Sequence, residues 1–150
     1  MNDKYTILKR EFLSDNGCYL TTYCHKKTKA LVIYIELDEK SLSSLVMVRT
    51  PSYNDKGIYH IIEHCVLSGS KKYNCKDPFK EIEKRSLSSY MNAITFADKT
   101  IFPFTTVNKT DFYNVLDVYL DGIFNPLFLD NKEIIAKEGI HFELQNGKII

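Results

Sequence analysis

The sequence has no long apolar run and no excess of charge of either sign. Its longest stretch of uncharged apolar residues, residues 30–35, is far shorter than the ~20 residues that cross a bilayer. Lys and Arg number 20 against 19 Asp and Glu, which gives a formal net charge of +1. A protein that neutralises nucleic-acid phosphates needs an excess of basic side chains. We therefore expect neither a membrane nor a nucleic acid as a partner.

Cysteines are few, and the amino terminus lacks an apolar stretch. The four cysteines, at positions 18, 24, 65 and 75, form no Cys-x-x-Cys pair and no dense framework, although a pair between Cys18 and Cys24 stays open. The first residues are polar and charged, unlike the start of a signal peptide. These features favour a reduced, intracellular setting, and we expect a cytoplasmic location. The 150 residues, 44% of them hydrophobic, are expected to form one soluble globular domain.

Alternating apolar residues predict strands in two parts of the chain. Residues 28–37 are β-branched and alternate, and a charged turn at 38–41 separates them from a second strand signal at 45–50. We expect these two strands to pair as an antiparallel hairpin. Residues 90–107 are also extended, with a break at Ala97-Asp98-Lys99. Because Pro103 cannot donate a ladder hydrogen bond, its strand should be an edge, bulged or irregular there.

Helical patterns alternate with these strands. Residues 109–124 show the clearest periodicity, with apolar residues at i, i+3, i+4 and i+7. Asp77-Pro78 is a favourable helix start, because aspartate caps well and proline suits the first helical position. Further helices are expected at 58–69 and 130–139, and a strand at 140–144. Strands and helices mix without βαβ alternation, so the fold class is α+β, an antiparallel sheet packed with helices.

Two histidines and a glutamate form the pattern His-Ile-Ile-Glu-His. On a helix, His60, Glu63 and His64 fall within roughly 100° of one another. Imidazoles four residues apart can both reach one zinc ion at ~2.0–2.1 Å. A carboxylate just before the second histidine can accept a proton from water that the metal activates, which is the inverted order H-x-x-E-H. The alternative is a core helix whose histidines bond backbone carbonyls, and the five residues alone leave both open.

The surroundings of this pattern carry further motifs in a fixed order. They are Arg49-Thr-Pro, the run from Gly57 to Ser70, Asp77-Pro78-Phe79, Met91-Asn92-Ala93-Ile94-Thr95 and Asp111-Phe112-Tyr113. From about residue 5 to residue 150, the chain resembles the N-terminal domain of the pitrilysin/insulinase family of zinc metalloendopeptidases. The resemblance is strongest to its presequence protease and falcilysin branch.

The resemblance implies a fold and a set of roles. The fold is the N-terminal part of a pitrilysin/insulinase-type α+β domain, of the LuxS-like metalloprotease kind. His60 and His64 are implied as zinc ligands and Glu63 as the general base. The domain would form part of a clamshell that encloses unfolded peptides. The remainder of the clamshell would lie in cis or in a partner subunit.

The resemblance also implies a substrate strand. The segment that contains Asn92 and Ala93 matches the strand along which a peptide substrate adds as an extra β-strand, a mode in which main-chain bonds supply the affinity. The residues alone favour a simpler interpretation, an internal strand of the sheet.

A third zinc ligand is the incomplete part of the pattern. Catalytic zinc generally has three protein ligands, and the downstream carboxylates are Glu133, Glu138 and Glu143. In the presequence protease branch, the residue that matches Glu138 supports the site from behind a ligand, and the third ligand follows in an Asn-Glu-Met-Lys segment that these residues lack. In other branches the separation would make Glu138 a direct ligand. We expect Glu138 to be supporting and Glu133 and Glu143 to be solvated.

The sequence thus predicts a metallopeptidase domain, residues 1–150, truncated before its third zinc ligand. Its expected function is cleavage of unfolded peptides by zinc-activated water, with Glu63 as general base. The alternative is an inactive or partner-dependent homologue that binds peptides and lacks a complete zinc site. Whether the 150 residues are active alone stays open.

Overall fold

The structure, a computed structural model, describes residues 3–75 and 77–139 and the backbone of residues 144–145 and 148–149. Contacts divide the chain into two compact units, Met1–Lys40 and Ser41–Ile150. The first unit is a three-stranded antiparallel sheet, and the second combines a sheet with helices. Within the described residues, every helix is too short or too polar to cross a membrane.

The sheet of the first unit has the strand order β1-β2-β3. Its strands are β1 (Tyr5–Leu13), β2 (Cys18–His25) and β3 (Leu31–Glu36). The turn between β1 and β2 ends at Gly17, whose φ of +63° lies in the left-handed region that glycine adopts without strain. All four cysteines of the chain carry free thiols, so Cys18 and Cys24 are not paired.

The second unit has an antiparallel sheet whose central strand is β7. Its strand order is β4-β7-β5, and β6 pairs with β7 beside β5. The strands are β4 (Leu42–Arg49), β5 (Ser88–Met91), β6 (Ile94–Thr95) and β7 (Lys99–Thr106), and a small separate ladder joins β8 (Leu144–Gln145) to β9 (Lys148–Ile149). The helices are α1 (Ile58–Leu67), α2 (Pro78–Arg85), α3 (Lys109–Phe124) and α4 (Lys132–Glu138), with a 3-10 turn at Leu127–Leu129.

The core lies between β7 and the helices. Alternate residues of β7 are buried, as period-two geometry requires, and the buried aromatic pair is Phe102 and Phe104. From α3, Val115 and Tyr119 join this cluster, and α1 contributes Val66. Tyr119 stacks on Phe104 with ring centroids 5.6 Å apart. The α+β class expected from the sequence is therefore confirmed, and so is the buried stripe of α3.

Two close contacts hold α1 against α3. A Cβ at Gly122 of α3 would lie 3.0 Å from the carbonyl oxygen of Val66, so glycine allows the two helices to approach. Beyond the end of α1, the Tyr73 hydroxyl donates to Asp117 of α3 at 2.5 Å, and Lys72 pairs with the same carboxylate. The hydrogen bond from Lys72 holds the pKa of Asp117 below its ordinary value, so this anchor is ionised at neutral pH.

Pro103 lies in the central strand β7, so the expectation of an edge strand is wrong. The expected irregularity occurs instead in the neighbouring outer strand, which is interrupted opposite Pro103. In an antiparallel pair, the N–H and C=O of one residue point to the same neighbouring strand. The Pro103 carbonyl accepts from the Asn92 N–H at 3.1 Å, so the N–H that proline lacks would have faced the Asn92 carbonyl. The Tyr119 hydroxyl donates to that carbonyl instead, at 3.0 Å. The outer strand is interrupted at this point, between β5 and β6.

The predicted hairpin between residues 28–37 and 45–50 is wrong. β3 pairs with β2, and β4 pairs with β7 in the other unit. The charged connection at 38–41 is not a tight hairpin turn, so nothing local forces the two strands together. The sequence had assigned no strand to the residues of β1 and β2.

Helix starts follow the sequence more closely. α1, α2 and α3 begin where expected, and α4 begins two residues later than the segment 130–139. Asp77 occupies the N-cap position of α2, but its side chain does not cap the helix. The Asp77 carboxylate lies 3.3 Å from the Lys137 ammonium instead. Of the strand expected at 140–144, residues 140–143 lie outside the described part of the chain.

Replacement of Tyr119 by phenylalanine should lower stability by about 1–2 kcal/mol, since the ring still fills the core but the Asn92 carbonyl loses its donor. Burial raises the pKa of Tyr119, so its hydroxyl stays protonated and able to donate through neutral pH. The free energy of unfolding in urea measures the effect. Tyr113→Phe, an exposed tyrosine on the same helix, should change it by less than about 0.5 kcal/mol. Equal losses of stability in the two variants would contradict a stabilising role for the Tyr119 hydroxyl.

Candidate metal centre

Helix α1 brings His60, Glu63 and His64 together on one side. Their candidate ligand atoms all lie within 4.8 Å of one another, and among the described residues no other group of His, Cys, Asp and Glu side chains does the same. The helix begins after Gly57, whose φ of +65° is left-handed and suits glycine. The opposite side of α1 is apolar, with Cys65 and Val66 buried. A helix with one core face therefore presents both imidazoles to solvent.

The two imidazoles face each other through the same nitrogen. The Nε2 atoms of His60 and His64 are 3.3 Å apart, and their ring centroids are 4.9 Å apart at an interplanar angle of 69°. Two nitrogens bound to one tetrahedral zinc ion at ~2.0–2.1 Å lie about 3.3–3.4 Å from each other. The observed separation therefore matches the edge of a zinc coordination tetrahedron.

Glu63 differs from the histidines in being buried. Its side chain lies at the boundary between α1 and the sheet, with 7% of the residue exposed. The Thr95 hydroxyl of β6 donates to Oε2 of Glu63 at 2.5 Å. A buried carboxylate is costly without such a donor, so this hydrogen bond is part of what allows Glu63 to lie there.

Glu138, the last residue of α4, lies behind His64. Its Oε2 is 3.6 Å from Nδ1 of His64, the ring nitrogen that does not face His60. Its Oε1 accepts from the Lys137 ammonium at 2.8 Å and from the Ser68 hydroxyl at 3.2 Å. Lys137 holds the pKa of Glu138 below its ordinary value, aided by Ser68 and against the effect of burial. An anionic oxygen therefore faces the outer nitrogen of His64.

The expected substrate-strand residues lie at the interruption between β5 and β6. The backbone N–H and C=O of Asn92 are both bonded inside the unit, to Pro103 and Tyr119. The Asn92 side chain accepts from the Ala93 N–H at 2.9 Å. The backbone N–H and C=O groups of alternate residues point to opposite sides of a strand. The backbone groups of Ala93 and Thr95 therefore face away from β7. Among described residues, β7 is the partner strand of β6, so this outer side is an edge.

Other candidate residues from the sequence do not join the group of His60, Glu63 and His64. Glu133 is exposed in the first turn of α4, where its N–H is capped by Asn131. Glu143 lies outside the described residues. Cys65 is buried on the core side of α1, and burial raises the pKa of its thiol. Thr95 is the residue that sequence reasoning missed, because its contact with Glu63 depends on how α1 packs on β6.

Three comparisons with known proteins agree with one another. The model of the family described as Insulinase (Peptidase family M16) matches residues 32–146. Protein HypA of Clostridium perfringens is 41% identical over 142 residues, and the match covers 95% of this chain and 15% of that protein. Presequence protease 1, chloroplastic/mitochondrial, of Arabidopsis thaliana is 40% identical over 139 residues, covering 93% of this chain and 13% of that protein.

A solved structure shares the fold. The crystal structure of pitrilysin superimposes with a TM-score of 0.72 and 23% identity, over 90% of this chain and 15% of that one. At that identity the likeness concerns the fold alone. The chain therefore spans about 15% or less of the length of the relatives it matches.

Proposed function

The chain belongs to the insulinase family of peptidases, peptidase family M16, and from that premise we propose that it is the N-terminal portion of a zinc-dependent endopeptidase. This membership confirms the family inferred from the sequence motifs. The proposal is carried by one observation, the 3.3 Å separation of the His60 and His64 Nε2 atoms next to a buried carboxylate on the same helix. The Arabidopsis thaliana relative, which is named a presequence protease, supports a peptide substrate.

Zinc is the metal that this donor set fits. Zinc sites in proteins use imidazole and carboxylate donors in tetrahedral arrangements, and the histidine pair has the spacing of such a site. His60 and His64 would hold the ion through Nε2, which requires each ring to carry its proton on Nδ1. When bound, zinc supplies Lewis acidity that polarises a peptide carbonyl and lowers the pKa of water.

Glu63 is the proposed general base. Its carboxylate lies within reach of both imidazoles and is held on one oxygen by Thr95. It would accept a proton from the attacking water and return it to the amine that leaves when the peptide bond breaks. Burial at the helix–sheet boundary keeps this carboxylate in one place between the two transfers.

Glu138 is proposed as a supporting residue and not as the third ligand. Its anionic Oε2 would accept the Nδ1 proton of His64, which fixes the ring and makes Nε2 a better donor to the metal. Its other oxygen is occupied by Lys137 and Ser68. Within the described residues, the metal-ligating group contains His60, Glu63 and His64 and no other side chain. We therefore place the third ligand outside the described residues.

The proposed substrates are unfolded peptides that bind as an added strand. The outer edge at β6 offers the backbone of Thr95 and the carbonyl of the preceding Ala93, whose N–H bonds the Asn92 side chain, and Thr95 also touches the proposed base. Asn92 would act through its side chain, because its backbone groups are already bonded. The remainder of the clamshell, in cis or as a partner subunit, would complete the enclosure. A cytoplasmic location stays a prediction, since the Arabidopsis thaliana relative is named a chloroplastic/mitochondrial protein.

Replacement of His60 or His64 by alanine should weaken zinc binding at least tenfold, because each removes one imidazole donor. Competition with a chromophoric chelator, combined with metal analysis after dialysis, measures affinity and stoichiometry. His25→Ala is the control, since His25 bonds Thr28 in the other unit. Unchanged zinc affinity in His60→Ala would refute the assignment of the metal.

Glu138→Gln should weaken zinc binding by about 10-fold, in the range found when a group behind a ligand is changed. It should leave the visible spectrum of the cobalt(II)-loaded protein unchanged in shape, because no ligand is lost. Glu133→Gln, on the exposed side of the same helix, should change neither. An altered cobalt spectrum in Glu138→Gln would make Glu138 a direct ligand instead.

Glu63→Gln should leave zinc bound and reduce peptide cleavage by at least about 10²-fold, because glutamine cannot accept the proton. Cleavage of a quenched fluorescent peptide, with zinc content measured on the same sample, tests this. Retained turnover would remove Glu63 from the mechanism. Zinc binding without cleavage in the unmodified protein would favour the alternative, an inactive or partner-dependent peptide-binding homologue.

A further inference from the structure

Three threonine hydroxyls form a continuous chain that ends on Glu63. Thr95 Oγ1 is 2.5 Å from Oε2 of Glu63 and 3.3 Å from Thr100 Oγ1, which in turn is 2.9 Å from Thr50 Oγ1. Thr95 belongs to β6, Thr100 to β7, and Thr50 follows the last residue of β4. Two neighbouring strands, and the residue that follows a third, thus each contribute one hydroxyl to the hydrogen-bonded chain.

The direction of the protons in this chain follows from counting donors. The Thr95 hydroxyl has a single proton, and it donates that proton to Oε2 of Glu63. Thr95 can then only accept from Thr100, and Thr100 has its own proton committed and accepts from Thr50. All three hydroxyl groups therefore point their protons toward the Glu63 carboxylate. In a series of hydrogen bonds ordered in this way, each bond strengthens the next.

The hydroxyl chain is anchored in the central strand of the sheet. Thr100 is buried in the central strand, and the Thr50 N–H donates to the Asp98 carbonyl at 3.0 Å. Thr95 pairs directly with Thr100 in the β6–β7 ladder. The threonine that touches Glu63 is thus held on its other side by two further residues of the sheet.

We infer that Thr95 is a positioning residue, which fixes the Glu63 carboxylate beside the histidine pair through the Thr95–Thr100–Thr50 hydroxyl chain. The inference deepens the proposed function, because it rests on Glu63 acting as general base. Without the Thr95 hydroxyl, Oε2 of Glu63 loses its donor and the side chain is free to rotate away from the histidines. Since Thr95 also lies in the strand proposed to bind substrate, one residue would link the peptide-binding edge to the base.

The test compares Thr95→Val, which keeps the shape of threonine but removes the hydroxyl, with Thr95→Ser, which keeps the hydroxyl. Thr105→Val is the matched control, because Thr105 lies in β7 and bonds Ser43 on the exposed face of the sheet. The first readout is the carbon NMR resonance of the Glu63 carboxyl group in the metal-free full chain, assigned with Glu63→Gln. The second is kcat and KM for a quenched peptide, with zinc content measured alongside.

We expect the Glu63 carboxyl resonance to move in Thr95→Val and to stay near its original position in Thr95→Ser and Thr105→Val. With zinc content unchanged, kcat should fall about tenfold or more in Thr95→Val while KM stays within about twofold, and serine should restore it. An unmoved carboxyl resonance in Thr95→Val, or a serine variant as impaired as the valine variant, overturns the inference. If the chain, supplied with the remainder of the clamshell, cleaves no peptide, the proposed function fails, and the Glu63 carboxyl resonance still decides the role of Thr95.

Discussion

The packing of Tyr119 against β7 is the interaction on which the larger unit depends. Its ring stacks on Phe104 and meets Phe102 edge to face, and its hydroxyl reaches across the strand to the Asn92 carbonyl. One side chain therefore fills the centre of the core and also completes the hydrogen bonding of the outer strand. Val66 of α1 belongs to the same cluster, so the orientation of the helix that carries the two histidines follows from this packing.

The candidate metal centre combines local and long-range structure. The histidine pair is local, because side chains at i and i+4 of any helix lie on the same face. The burial of Glu63 is long-range, because it requires the sheet residue Thr95 to supply a donor at the surface of α1. Glu138 joins the centre from α4, and its Lys137 neighbour connects it to Asp77 at the start of α2. Residues of α1, of α4 and of the start of α2, which are distant in sequence, are thus linked to one another at this centre.

The sequence could predict the local features of the structure but not the long-range ones. α1, α3 and the buried stripe of α3 were predicted, because helical periodicity is contained within each segment. The pairing of β3 with β4 was predicted wrongly, and β1 and β2 were missed, because strand partners are chosen by tertiary contacts. The histidine and glutamate residues were found through their spacing, whereas the contact of Thr95 with Glu63 has no signature in spacing. The type of residue at Asp77 correctly predicted the start of α2, but its carboxylate binds Lys137 of α4 and does not cap the helix.

The interrupted outer strand beside β7 bears on how such a protein avoids aggregation. A peptide-binding edge must leave backbone groups unpaired, and long unpaired edges also recruit other copies of the same chain. Here the edge is divided, since β5 has an irregular register between Ser88 and Tyr90, and β6 is two residues long after the interruption opposite Pro103. A short extended peptide needs only a few backbone bonds, but a second folded copy would find no continuous strand to match. Pro103 and Tyr119 therefore interrupt the edge along which a second copy of the chain could otherwise pair.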